Sequence, residues 1–231
     1  ALEVLEQTSD LSLKAQTISS GSALRNRSVD ITSKTLDLSI LTKFDKYAID
    51  YSLSRGINEI FASFVSDGLQ AQEIKKVIGP NVKLISKVET SRGVANISQI
   101  LEYSDEILID RGDLSREISI TAVPIAVFNI IKIANRFQKP VNIATNVLDS
   151  MITSSLPSRA EVSDIYNHLS AGVSGIVLAA EVAIGDNPIS TTTFLKYLID
   201  SYENYQNGFH GIGKINKPSR KLIGDELFNW L

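Results

Sequence analysis

The sequence predicts an α/β protein: a (β/α) TIM-type barrel that is partial, with five βα units, preceded by a short antiparallel β segment. Three observations lead there. Short apolar runs rich in Ile and Val recur along the chain, as strands buried on both faces do. Stretches with helical periodicity alternate with them, which predicts a parallel sheet covered by helices. No Gly-x-Gly-x-x-Gly follows an early strand, so a barrel is favoured over a dinucleotide-binding open sheet. A complete barrel has eight strands, and five candidates are too few.

Each element has its own reason. Leu2–Glu6 and Leu13–Ser19 alternate apolar and polar residues, and Ser20-Gly21-Ser22 punctuates them, so both read as antiparallel strands. The parallel strand candidates are Glu59–Phe64, Val82–Lys87, Glu106–Asp110, Val141–Thr145 and Gly175–Ala179. Thr42 is placed to cap a helix from Lys43, with Asp45 completing a capping box. Ser66 is expected to cap Asp67–Ile78, which Gly79-Pro80 ends. Ser91–Tyr103, Thr121–Phe137, Arg159–Ala171 and Ile189–Tyr205 complete the helices. Val94, Ile97 and Leu101 form one apolar face and read as core. Asn187 precedes Pro188 as an expected cap of the last helix.

Composition bounds the function. The chain has 231 residues, 43% hydrophobic and 21% charged, with a net charge of −3. That suits a globular domain with a sizeable core, and bulk charge indicates neither a nucleic-acid nor a lipid surface. The basic cluster Lys214, Lys217, Arg220 and Lys221 reads as a solvated tail. Cysteine is absent, which excludes disulfides, thiolate zinc sites and a Cys nucleophile, and suits a cytoplasmic protein. The most apolar stretch, Val123–Ile133, is too short for a bilayer, which takes about 20 residues. The acidic N-terminus lacks the apolar core of a secretion signal. His168 and His210 have no partner at metal-ligand spacing and read as surface or packing residues.

In such a barrel, reacting groups sit at the C-terminal ends of strands. Three strands end in suitable residues: Lys87-Val88-Glu89, Asp110-Arg111-Gly112-Asp113 and Thr145-Asn146. Lys87 and Glu89 are two apart and face the same way on extended backbone. Two carboxylates suit a hard cation such as Mg²⁺, and a lysine suits a developing negative charge. The plainer reading makes them rim salt bridges, with Lys87 paired to Glu89 or Asp113.

Several strings together resemble the pyruvate kinase family. Phe61-Ala62-Ser63-Phe64 matches its FASF strand, and residues 84–89, LISKVE, are similar to its IISKIE. Arg111-Gly112-Asp113-Leu114 resembles ARGDLG, and residues 139–151, KPVNIATNVLDSM, resemble KPVICATQMLESM. Pro157-Ser158-Arg159-Ala160-Glu161 with Ser163-Asp164 resembles PTRAEGSD. Gly21-Ser22 and Val29-Asp30-Ile31 echo the end of the small β domain which that family inserts into its barrel.

The resemblance implies domains at 1–34 (end of the inserted β domain), 35–206 (partial catalytic barrel) and 207–231 (tail). It implies phosphoryl transfer between phosphoenolpyruvate and ADP, giving pyruvate and ATP in glycolysis. Lys87 would stabilise the transferring phosphoryl group and the enolate, with Glu89 and Asp113 holding Mg²⁺ or Mn²⁺. Gly112 and Asp113 would receive the substrate carboxylate, and Thr145 would lie where the enolate is protonated. K⁺ is a further cofactor candidate, although its family site lies mostly in an N-terminal part without counterpart here. Arg159, Glu161 and Asp164 match a loop near a subunit contact. The implied assembly is a homo-oligomer, or a barrel completed by another chain or segment.

The chain departs from the family pattern at several positions. Asp110 stands where the family has alanine, a cost of about 1 kcal/mol or more beside an anionic substrate unless it turns outward or binds a cation. Leu178-Ala179-Ala180-Glu181-Val182 replaces LSGET, Val127-Phe128 replaces a Gln-Lys pair, and Ser115 replaces a glycine. These changes support an alternative, a catalytically weakened interaction or regulatory subunit. A metal-dependent aldolase or lyase acting on a pyruvate enolate is a further alternative. Val88-Glu89-Thr90 and Asp113-Leu114-Ser115 resemble that related barrel family, while the 157–161 and 144–151 segments argue against it.

Overall fold

The computed structural model describes residues 2–22 and 39–208. The chain divides into two compact units, Ala1–Asp37 and Leu38–Leu231. Val29-Asp30-Ile31, His210, the basic cluster and nearly all of the expected tail lie outside the described residues.

In the first unit, β1 (Leu2–Ser9) and β2 (Ser12–Thr17) pair antiparallel from Leu2↔Thr17 to Ser9↔Ser12. Both expected strands are present, the first extended by three residues, with register shifts between Val4 and Glu6 and between Gln7 and Ser9.

The second unit repeats strand and helix. Its order is α1 (Lys43–Ser54), β3 (Glu59–Ala62), α2 (Gly68–Ile78), β4 (Lys83–Val88), α3 (Ser91–Ala95), α4 (Ile97–Tyr103) and β5 (Glu106–Asp110). Then come α5 (Arg111–Glu117), α6 (Val123–Arg136), β6 (Val141–Ala144), a 3₁₀ turn (Asp149–Ile152) and α7 (Arg159–Ser170). The last elements are β7 (Gly175–Val177), α8 (Ala180–Ala183) and α9 (Pro188–Gln206).

All five strands are parallel and lie in chain order, β3-β4-β5-β6-β7. A doubly wound sheet reverses its strand order at a switch point, whereas a barrel wall adds each strand beside the last. This order is that of a barrel wall. Strands β3 and β7 are its two edges, so the described strands form no closed ring.

Register sorts the side chains onto two faces. Leu84, Val88, Ile107, Ile109, Val141 and Ile143 point one way and are buried against Ala71 and Ile74 of α2, Ile100 of α4, and Val127 and Ile130 of α6. The opposite face is layered. At its N-terminal end Lys83 pairs with Glu106 at 2.5 Å and Glu59 at 3.4 Å, while Asn142 Nδ2 donates to Glu106 at 3.1 Å. Gly175 lies opposite Asn142, and a Cβ there would run into the Asn142 amide oxygen. Above this lies an apolar patch of Ile85, Leu108 and Ala144 with Val177. Lys87 and Asp110 follow at the C-terminal ends.

Helix limits were partly legible. Thr42 and Asp45 form the expected capping box, with Thr42 N donating to Asp45 at 2.8 Å and Asp45 N to Thr42 Oγ1 at 3.1 Å. The α2 cap is Asp67, not Ser66: Asp67 Oδ1 accepts from Gln70 N at 2.9 Å, while the Ser66 hydroxyl turns back to Phe64 O at 3.1 Å. The expected helix 91–103 breaks at Asn96, whose side chain donates to Ser66 O at 3.1 Å. Asn187 makes no side-chain cap, although Pro188 opens α9 as expected.

Candidate active site

The site assembles where β4, β5 and β6 end. Lys87 Nζ lies 2.5 Å from Glu89 Oε1 and 3.3 Å from Asp110 Oδ2. The pairing of Lys87 with Asp113 does not form: Asp113 pairs with Arg116 one helical turn away, at 3.3 Å. Burial alone would lower the Lys87 pKa, but Glu89 and Asp110 outweigh it and hold the ammonium above its usual range. Asp110 does not turn outward. It lies two residues beyond Leu108, which pairs with Lys87 across the sheet, so Lys87 and Asp110 share a face.

Glu89 is fully buried. Its Oε2 accepts from Phe64 N at 2.6 Å, and Oε1 lies against the Lys87 ammonium. Glu89, Asp110 and Asp113 each offer a carboxylate oxygen within 4.8 Å of the others. Lys87 stands against Glu89 and Asp110 and Arg116 against Asp113, so three carboxylates meet two cations and an excess of negative charge remains. A buried carboxylate beside two further carboxylates fits a hard divalent cation with oxygen ligands.

Thr145 completes the group. Its Oγ1 accepts from Gly112 N at 2.8 Å and has two acceptors within reach of its one hydrogen, Ala144 O at 2.6 Å and Asp110 Oδ1 at 3.0 Å. Asp113 N reaches Asp110 Oδ1 at 3.5 Å as Asp110 caps α5. Thr145 and Asn146 have φ of 65° and 50°, a left-handed backbone that costs non-glycine residues about 1–3 kcal/mol each.

Residues outside the expected set hold that turn. Arg111 donates through one nitrogen to Thr145 O and Asn146 O at 2.9 and 3.0 Å, and through the other to Asp164 at 2.5 Å. His168 Nε2 lies 3.1 Å from Arg111 and 3.2 Å from Asp164, so this buried histidine packs within the chain. Burial would raise the Asp164 pKa, but His168 and Arg111 hold it down to about 2. Buried Glu181 accepts from Val147 N, Leu148 N and Ala179 N at 3.1, 3.3 and 2.8 Å, tying the segment after β6 to the end of β7.

All five expected site residues therefore gather: Lys87, Glu89, Gly112, Asp113 and Thr145. Of the loop residues, Glu161 forms a capping box with Ser158 and accepts from Ser150 N at 2.7 Å. A cavity of about 350 Å³ beside β3, lined by Ile49, Ile60 and Ile74, lies on the helix side and contains none of these groups.

The family model for the pyruvate kinase barrel domain matches residues 1–192. The chain belongs to the pyruvate kinase family. It is 34% identical over 198 residues to the pyruvate kinase of Debaryomyces hansenii, covering 84% of this chain and 39% of that protein. It is also 34% identical over 214 residues to that of Thermotoga maritima, covering 91% of this chain and 46% of that one. For Clostridium acetobutylicum the identity is 35% over 210 residues, covering 89% and 44%. The chain thus spans less than half the length of these pyruvate kinases. Among the described residues no helix is long and apolar enough to cross a membrane.

Proposed function

We propose that the chain supplies the cation- and enolate-binding part of a Mg²⁺-dependent phosphotransferase acting between phosphoenolpyruvate and ADP in glycolysis. The convergence of Lys87, Glu89 and Asp113 at the strand ends is the observation that carries this reading. Glu89 and Asp113 would hold the cation, with Mn²⁺ as an alternative occupant. When bound, the divalent cation cancels negative charge on the phosphoryl and enolate oxygens.

The chain's own groups do the rest. Lys87 presents a charged ammonium to the negative charge that develops as the phosphoryl group moves, and its neighbouring carboxylates keep it protonated. Phe64 N fixes the carboxylate of Glu89, so the ligand oxygens need little reorganisation. Thr145 Oγ1 would pass a proton at the enolate face, as the resemblance to pyruvate kinases implies.

Mn²⁺ titration and phosphoenolpyruvate binding test the reading. Glu89→Gln and Asp113→Asn should each weaken Mn²⁺ binding about tenfold or more, since a ligand charge is lost. Unchanged affinity for both ligands in both variants ends it. A second reading, a family member with weakened catalysis, is favoured by Asp110, whose carboxylate already engages Lys87 and Thr145.

A further inference from the structure

Asp110 is nearly buried, at 7% exposure, and is surrounded by donors. Thr145 Oγ1 lies within donating distance of Oδ1 at 3.0 Å, Asp113 N reaches the same oxygen at 3.5 Å, and Lys87 Nζ lies 3.3 Å from Oδ2. Gly112 N, at 2.8 Å, donates to the Thr145 oxygen and so leaves the hydroxyl hydrogen for an acceptor, Asp110 Oδ1 or Ala144 O at 2.6 Å. An ammonium, a hydroxyl and an amide converging on one point form a receptor for a small carboxylate. In this chain the carboxylate is its own.

We infer that Asp110 is a built-in competitor for anionic ligands, its carboxylate holding the donors that an incoming carboxylate needs. The inference rests on the reading that Lys87 and Thr145 face the ligand. Two effects act together. The donors are already engaged, so a ligand must displace Asp110 before it gains them. The negative charge of Asp110 also opposes any anion brought to Lys87. Asp110 thereby weakens the hold of the site on small di- and trianions relative to a neutral residue at this position.

The test is oxalate binding to the full chain, measured by calorimetry with and without Mn²⁺, for wild type, Asp110→Asn and Asp110→Ala. The asparagine keeps an acceptor for Thr145 and the Asp113 amide while removing the charge, so it reads the effect even if the alanine variant misfolds. Oxalate affinity should rise about tenfold or more in Asp110→Asn, as expected for removing a negative charge beside the incoming dianion. It should rise at least as far in Asp110→Ala. A purely structural role would lower affinity or leave it alone. Unchanged or weaker oxalate binding by a folded Asp110→Asn chain, in both metal conditions, overturns the inference. Wild-type Mn²⁺ uptake, measured in the same series, separates the two ideas: no uptake ends the phosphotransferase reading, whereas uptake with unchanged oxalate affinity ends only the role of Asp110.

Discussion

Phe64 N donates to Glu89 Oε2 at 2.6 Å from a left-handed backbone, φ 56°. The segment leaving β3 thus orients the carboxylate that follows β4. Glu89→Ala should cost about 1–3 kcal/mol in urea unfolding, because the Phe64 amide loses its partner and the Lys87 ammonium loses its nearest counter-charge. Glu89→Gln, which keeps an acceptor for Phe64, should cost less. Equal losses for the two would show that the hydrogen bond does not orient this side chain.

Asp164 gives the protein an acid-sensitive contact. Its pKa in the folded chain is about 2, below the ordinary 3.8, so its stabilising effect is present above the unfolded value and disappears as pH falls through the folded one. Asp164→Asn should be less stable than wild type at neutral pH and lose less stability between those two values. Thermal melts across that window, run on both proteins, give the slopes directly, and parallel slopes would remove Asp164 from the acid response.

Glu181 receives three backbone N–H groups through two oxygens. Glu181→Gln offers one oxygen and turns its amide N–H₂ toward the remaining donor or donors. At least one buried N–H is then unpaired, at about 1–3 kcal/mol by chemical denaturation. A variant as stable as wild type would mean that water takes over the freed amide.

The helix following the Pro157 turn depends on its first residues. Ser158 Oγ accepts from Glu161 N at 3.2 Å, and Glu161 Oε2 accepts from Ser158 N at 2.6 Å. Ser158→Ala should cost about 1 kcal/mol, and Thr42→Ala should cost a similar amount at α1. Hydrogen exchange should quicken in the first turn of the affected helix alone.

The parallel strands were legible because each is a short Ile- and Val-rich run, and all five appear within three residues of the expected limits. Helix α5 was not: its single buried apolar residue, Leu114, sets no periodicity. The break at Asn96 was hidden because Val94, Ile97 and Leu101 continue one face through it. Ser66 and Asp67 are both good caps, and only a partner distant in sequence decides between them: Arg92 pairs with Asp67 at 2.6 Å. In the site, the convergence of Lys87 with Glu89 follows from strand parity. The inward turn of Asp110 was equally available from parity once β4 and β5 were set in register. The bonds of Glu181 to Val147 and Leu148 were beyond reach, since those donors lie 34 and 33 residues away.

Gly175 has a wider effect than its size suggests. Any larger residue there pushes Asn142 aside, Asn142 releases Glu106, and Glu106 is the closer counter-charge of Lys83. Positions 142 and 175 therefore form one unit of variation: a methyl group gained at the second can be accommodated by shortening the first, and the two changes should be strongly non-additive.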